Sequence, residues 1–507
     1  MQRCSKGALM RFLLPVLQLY ALETLLMIQV TIKNAGKVYP LEIDLKEPGL
    51  TLKLQIYSLT NIPPDRQKIL LKGGQVKDDS DLSKFSLKEG QSVMVLGTPE
   101  KINVTDNKMP APKFIEDIDE DEHFIGYHNE PSGLVNLGNT CYLNSSLQVM
   151  FEIKEIKERL DSETRSEPIV NHLYQLFQRM TSKEVGIRPL NLLATLRTQF
   201  PQFNERNDQG FFKQQDAEEL YSQLLSVLLR KYPDLASFFR VEFKTSTRCL
   251  ETNESPVIGY EDSLKLNCHI SINTNFLKDG LINNLKETLE KNNQSLGRDA
   301  KYEISKWVTR LPKYLTIHFV RFFWRRDTSK KSKILRKVQF PFQLDLADLL
   351  DEEVRESKIK VRDELYKIEK ENEDEGRELK KARLNNRIAE VSTRDYAEKN
   401  QQELYAMNEK WTRNFKKAFP DDYDPLRGEN PSSLYELVSV VTHQGSSADS
   451  GHYQAFVKNS EDITGEQWWK FNDSEVSIVG KDKIEQLSGG GESDSAMILL
   501  YKAFGLQ

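Results

Sequence analysis

The chain has 507 residues, 38% of them hydrophobic and 29% charged, with a net charge of -5. That length leaves room for about three domains with real cores, and so slight an acidic excess offers no footing for nucleic acid or other polyanions. Four cysteines in so long a chain make no disulfide framework and suit a reducing compartment, where a free thiol can act.

Residues 1–26 read as an N-terminal extension. Its apolar run from Arg11 to Ile28 follows Arg3 and Lys6 and has the outline of a signal peptide. Pro15 and Glu23 interrupt it, no small-residue cleavage site follows, and it is short for a bilayer span. No membrane association is expected. Residues 27–98 read as a small mixed domain. Met27–Lys33 and Lys37–Leu45 alternate at period two, and Asn34-Ala-Gly36 supplies the turn of a hairpin. A helix follows, with Leu50, Leu52, Leu54, Ile56 and Leu59 as its apolar set and Thr51 near its cap. Ile62-Pro-Pro-Asp-Arg-Gln-Lys-Ile-Leu-Leu71 gives a turn and a third strand, Gly73-Gly74 another turn, and Ser92–Gly97 a last strand. This order of elements resembles ubiquitin and implies a β-grasp fold. The paired glycines sit inside the domain and Gly97 runs on into more protein, so the unit is an integral ubiquitin-like domain and not a ubiquitin precursor.

Residues 99–131 are a linker, punctuated by Pro99, Pro110, Pro112 and Pro131. Its acidic run Glu116–Glu122 reads as a solvated segment, not a metal site. The remaining residues, 132–507, carry the chemistry. In Gly133-Leu-Val-Asn-Leu-Gly-Asn-Thr-Cys141 a polar run delivers one cysteine to a helix whose apolar face is Leu143, Leu147, Met150 and Phe151. Asn139 and Thr140 suit the cap of that helix. Cys141 then lies in the first turn, where unpaired N–H groups and the positive end of the dipole favour a thiolate.

Further helices are expected at 169–181, at 188–200 and after Gln214-Gln-Asp-Ala-Glu-Glu219. Strand-like runs cover 238–249, 263–270 and 313–323. Cys249 and Cys268 fall within such runs. From about 351 to 428 the chain is dominated by Glu, Lys, Arg and Asp, with Leu365, Ile368, Leu379, Leu384 and Ile388 as sparse apolar positions. That pattern reads as an exposed helical insertion without chemistry. A buried strand resumes at Leu434–Val441.

A cysteine nucleophile needs a base, and the base needs a polar group to hold it. His452, in Ser450-Gly-His-Tyr453, opens a strand in which Tyr453, Ala455 and Val457 alternate. The next strand runs from Gln467 to a polar end at Asn472-Asp-Ser474. Pairing the two as a hairpin sets His452 opposite Asn472. His443 is the rival base but lacks the glycine before it and the tyrosine after it. His318 lies in an apolar strand and reads as a structural residue. Gly445–Gly451 reads as a mobile loop beside the base.

These segments are similar to motifs of the ubiquitin-specific protease family. Gly133–Gln148 resembles its cysteine box, Gln214–Glu219 its QQDA segment, Leu311-Pro-Lys-Tyr-Leu-Thr-Ile-His-Phe-Val-Arg-Phe322 its LPxxLxIxxxRF segment, and Ser450–Tyr453 with Trp469–Asp473 its histidine box. Several separated matches in one order are far more specific than any one of them. The resemblance implies an α+β protein: a ubiquitin-like β-grasp domain, then a papain-like cysteine protease fold of thumb, palm and fingers. It implies that Cys141 is the nucleophile, His452 the general base, Asn472 the orienter and Asn136 the oxyanion donor. Asp473 is a second polarising group, and Gln215, Asp216, Gly451 and Tyr453 line the path of the substrate tail. The resemblance also implies that Cys249 and Cys268 are strand residues of one sub-domain, the fingers. No cofactor is implied. Many members bind zinc through paired CxxC motifs, which this chain lacks. The ubiquitin-like domain, with Leu487-Ser-Gly-Gly-Gly-Glu492, resembles the proteasome-associated branch of the family. The partners implied are ubiquitin conjugates and, through residues 27–98, the regulatory particle of the 26S proteasome. The implied place is the cytoplasm, with the nucleus also open, and the free enzyme would be autoinhibited. A non-catalytic ubiquitin receptor on the proteasome is the alternative.

Overall fold

The computed structural model describes residues 27–97, 130–160, 167–386 and 406–506, apart from short stretches at 35–36, 46–47, 61, 63, 73, 208–209, 326–329, 408, 448–449, 463–464 and 490–493. Residues 1–26 with Cys4, and the linker from 98 to 129, lie outside them. Among the described residues, no helix is long and apolar enough to cross a membrane.

The first unit is built from strands β1 (Met27–Asn34) and β2 (Lys37–Asp44), helix α1 (Gly49–Thr60), and strands β3 (Lys68–Leu71), β4 (Gly74–Gln75) and β5 (Ser92–Leu96). Its sheet has the order β2-β1-β5-β3-β4, with β1 and β5 parallel. Alternation sends Val30, Ile32, Leu41, Ile43, Ile69, Val93 and Val95 to one face, where Leu52 and Ile56 of α1 close the core. This is a β-grasp fold, and α1 covers the apolar set read from the sequence. Gln67 ties the turn to the helix, its Nε2 donating to the carbonyls of Lys53 and Ile62 at 2.8 and 2.6 Å.

A helical layer follows, with α2 (Cys141–Phe151), α3 (Lys154–Arg159), α4 (Pro168–Thr181), α5 (Leu190–Gln199) and α6 (Ala217–Lys231). Two sheets come next. The fingers sheet has the order β7-β6-β10-β9, from β6 (Val241–Cys249), β7 (Val257–Ser263), β9 (Lys286–Asn293) and β10 (Arg298–Arg310), with β8 (Leu266–His269) and α7 (Leu277–Asn284) between its halves. The sequence of β9, KETLEKNN, is polar on both faces and shows no strand signal; antiparallel pairing with β10 forms it. The palm sheet draws on β11 (Tyr314–Val320), β12 (Phe322–Arg325), β13 (Lys330–Lys333), β14 (Gln343–Asp345), β15 (Leu434–Ser447), β16 (Ser450–Lys458), β17 (Gln467–Asn472), β18 (Glu475–Gly480) and β19 (Asp494–Ala503). Its main order is β18-β17-β16-β15-β19-β11-β8. Cys268 therefore lies on β8 in the palm, parallel to β11, and not in the fingers with Cys249. β8 leaves the fingers path because Leu266 and Cys268 are buried in the palm core.

The central palm strands β11, β15, β16 and β19 bury both faces, as their apolar runs suggest. In β16, Tyr453, Ala455 and Val457 join the core under the helices, and Phe456 joins the core behind the sheet. In β19, Ile498 and Leu500 face the helices, while Leu499 and Tyr501 face away. The charged insertion opens with α8 (Glu352–Asn386). It is not wholly exposed: Val361, Leu365 and Ile368 are buried against Phe415, Phe419 and Phe504, and Lys358 Nζ donates to Asn430 O at 2.6 Å. The side chains of Leu379 and Leu384, and Ile388, lie outside the described residues. After β18 comes the short helix α9 (Lys481–Gln486).

Candidate active site

Cys141 opens α2 and is 2% exposed. The helix is wedged between α6 and strand β16, so its first turn meets the start of that strand. The cap differs from the expected one. Thr140 is the N-cap residue but makes no side-chain cap bond. Its hydroxyl accepts from the Leu137 N–H at 2.8 Å and donates to Asn136 Oδ1 at 3.3 Å, bracing the preceding turn. Asn139 takes φ +52°, a backbone state asparagine tolerates better than most residues.

His452 lies on β16 against Cys141 and is also 2% exposed. Its Nε2 is 2.6 Å from Asn472 Oδ1, which leaves Nδ1 as the nitrogen for the sulfur. Gln454 Nε2 donates to the same Oδ1 at 3.2 Å. Burial by itself would lower the proton affinity of the imidazole. The charge and hydrogen bond of Cys141, with Asp473 and Asn472, reverse that and raise its pKa to about 9. A histidine in this setting holds its proton as an imidazolium at neutral pH.

Asp473 follows Asn472 in the tight turn between β17 and β18, at φ +54°. Its carboxylate accepts from Asn136 Nδ2 at 2.9 Å and from Asn144 Nδ2 at 2.8 Å, and lies 3.8 Å from His452 Nε2. Burial raises its pKa, and the imidazolium and the two amides oppose that. The Leu134 N–H donates to the Asp473 carbonyl at 2.9 Å. Gly133 lets the strand ends come together, since a Cβ there would meet Ser474 O at 2.4 Å. Asn136 Oδ1 accepts from the backbone N–H groups of Gly138 and Thr140 at 2.9 and 3.3 Å. The cysteine run and the histidine strands are thus joined at one carboxylate.

Asp216 is the N-cap of α6 and accepts from the Glu218 N–H at 2.8 Å. Beside it, the amide nitrogens of Gln214 and Gln215 and the Gln214 oxygen are buried with no hydrogen-bond partner among the described residues. Tyr453 is 1% exposed, and its hydroxyl points at Asp216 and Ala217. It therefore fills the seam between helix and sheet and presents no open surface. Gly451 has φ +137°, and a Cβ on it would fall 2.1 Å from Gln444 O and 2.6 Å from His443 Nε2. Strands β15 and β16 pair as far as Ser447 opposite Ser450, with a register shift after Gln444; residues 448–449 lie outside the described residues. Lys333 Nζ donates to the carbonyls of His443 and Gly445 at 2.6 and 3.1 Å.

The rival histidine does not reach the sulfur. His443 packs edge-on against Phe322 and Tyr453, and burial and Lys333 hold its pKa well below the usual range. His318 Nδ1 lies 3.7 Å from Glu218, a carboxylate that also holds Lys265. Among the described residues, no three His, Cys, Asp or Glu side chains gather as metal ligands would. Burial pushes the Cys268 thiol up to about 12. Asn144, Gln454 and Glu475 are site residues that reading the sequence misses. Asn144 lies within the cysteine box and Gln454 two residues beyond His452, but only the folded strands show what their amides touch.

A family model described as ubiquitin carboxyl-terminal hydrolase matches residues 132–501, and one described as ubiquitin family matches residues 30–100. Ubiquitin carboxyl-terminal hydrolase 6 of Schizosaccharomyces pombe is 40% identical over 94% of this chain and 99% of its own length. Ubiquitin carboxyl-terminal hydrolase 7 of Arabidopsis thaliana is 35% identical over 94% and 99%. Ubiquitin carboxyl-terminal hydrolase 14 of Caenorhabditis elegans is 32% identical over 94% and 93%. With both units matched and a cysteine, a histidine and an asparagine in line, the chain belongs to the ubiquitin carboxyl-terminal hydrolase family, as a cysteine-type deubiquitinase with an N-terminal ubiquitin-like domain.

Proposed function

We propose that the enzyme cleaves the isopeptide bond after the C-terminal glycine of ubiquitin, on conjugates held at the proteasome, through a thioester on Cys141. The observation that carries this reading is His452, placed against Cys141 with its Nε2 at 2.6 Å from Asn472 Oδ1. Nε2–H donates to Asn472, so Nδ1 serves the sulfur. The thiolate of Cys141 attacks the glycine carbonyl. The tetrahedral oxyanion is met by the Cys141 N–H and by Asn136, one of whose two amide hydrogens is committed to Asp473. The imidazolium then gives its proton to the departing lysine amine. His452 next takes a proton from water, which cleaves the thioester and frees ubiquitin. Asp473 supplies the charge that the neutral Asn472 lacks and fixes the oxyanion donor. Asp216 and Gln215, with the backbone at Gly451, guide the ubiquitin tail, and Tyr453 supports that path from within the seam.

The resting state is closed in this reading. The 2% exposure of both Cys141 and His452 supports it. Docking on the regulatory particle is assigned to the ubiquitin-like domain, whose sheet exposes Leu70, Met94 and Leu96. Turnover of a ubiquitin–lysine isopeptide substrate by the wild type and by Cys141→Ala tests the chemistry; residual turnover in the variant would name another nucleophile. Co-sedimentation of the full chain with proteasome, with and without Leu70→Asp and Leu96→Asp, tests the docking.

A further inference from the structure

Asn472 and Glu475 face each other across the narrowest possible hairpin. They are directly opposed residues of β17 and β18, with only Asp473 and Ser474 between them. Opposed residues of an antiparallel pair project on the same face, close enough for their side chains to meet. Asn472 Nδ2 donates to Glu475 Oε2 at 2.9 Å. On its other side, Asn472 Oδ1 receives both His452 Nε2 and Gln454 Nε2.

An amide has one accepting and one donating end, and only one orientation satisfies these neighbours. Turned over, the Asn472 amide nitrogen would meet the N–H of the protonated His452, and its oxygen would meet a carboxylate. We infer that Glu475 is a positioning residue for the hydrolysis, locking the Asn472 amide so that its oxygen, and not its nitrogen, faces His452. This rests on the proposed triad. It also assigns a division of labour: the neutral orienter comes as a pair with an acidic neighbour. That neighbour would repel a carboxylate placed at position 472. Glu475 is exposed, so its charge is screened by water and its main effect is on the direction of the amide.

The test is a set of full-length variants assayed on a ubiquitin–lysine isopeptide substrate, each also labelled with ubiquitin bearing a C-terminal electrophile. Glu475→Leu should lower kcat by about three- to tenfold with KM unchanged, the scale of one exposed charge-assisted hydrogen bond. Glu475→Gln, whose side-chain oxygen can still accept, should keep most of the activity. In an Asn472→Asp background the sign should reverse: Glu475→Gln should raise kcat, because two opposed carboxylates are separated and the new amide donates to the aspartate. A residue that merely holds the turn together would act alike in both backgrounds. If Glu475→Leu leaves kcat unchanged, or Glu475→Gln has the same effect in both backgrounds, the assignment is wrong. If the wild type neither turns over nor labels at Cys141, the proposed triad has failed instead.

Discussion

Asn136 Nδ2 lies 2.9 Å from Asp473 Oδ2, a contact between residues 337 positions apart in the chain. It joins the run before Cys141 to the turn after Asn472. The same carboxylate holds Asn144 at 2.8 Å. The Asp473 carboxylate thus lies near His452 and also holds the amide that the proposed mechanism aims at the oxyanion. Asp473→Ala should lower kcat by about a hundred- to a thousandfold, the range for losing an oxyanion donor. Asn136→Ala should fall in the same range, and the double variant should be little worse than either alone. A product of the two single losses in the double variant would show that they act separately.

The pH dependence follows from His452. Its pKa is raised from 6.5 to about 9, so the imidazolium is present at neutral pH and is lost as pH rises through about 9. The alkaline limb of kcat/KM should lie there. By linkage, the stability that this proton contributes is fully present below 6.5 and disappears over the same upper range. Asn472→Ala removes the acceptor of Nε2–H, and the limb should move to lower pH. A pH titration of both forms checks this.

Gly451 is fixed by contact as well as by backbone angle. With Gln444 O 2.1 Å and His443 Nε2 2.6 Å from the place of a Cβ, even alanine must displace the turn beside His452. Gly451→Ala should cost at least about tenfold in kcat/KM while the melting temperature falls by only a few degrees, since the turn lies outside the main cores. Kinetics and a thermal melt on the same sample separate the two effects.

Arg321 is fully buried, and no carboxylate among the described residues pairs with it. Its guanidinium donates to the carbonyls of Ala496, Ile334, Arg336 and Ser488 at 2.8, 3.0, 2.8 and 3.1 Å. It stitches β19, the chain after β13 and the segment after α9 together. Burial lowers its pKa to about 10, so it stays charged. Arg321→Met leaves those carbonyls without their donor and should destabilise the protein by about 3–5 kcal/mol. Denaturant unfolding measures it.

The sequence carries the residues that react more clearly than those that hold them. Cys141, His452 and Asn472 could be read because a nucleophile, its base and an orienter each need one residue type. That His452 and Asn472 meet could be expected from a hairpin of β16 and β17, but the register that pairs Ala455 with Phe471 sets them diagonally and not opposite each other. Asn136 and Asp473 could be named by resemblance, but not their bond to each other. Gln454 and Glu475 were silent, because their contacts with Asn472 exist only once two strands pair in one register. The β-grasp unit was legible from its alternating strands. The fingers strand β9 was not, since its mostly polar residues carry no period. Cys268 was misplaced because β8 is too short to show which sheet it joins. Thr140 looked like a cap because its residue type suits one, yet its hydroxyl serves the turn before the helix.

The most direct test is to react the intact protein, alone and with proteasome, with ubiquitin whose C-terminal glycine carries an electrophile, and to map the adduct by mass spectrometry. One ubiquitin on Cys141, formed faster when proteasome is present and absent in Cys141→Ala, is the expected result. An adduct on Cys249 or Cys268, or none even with proteasome, would contradict the assignment of Cys141 as the nucleophile.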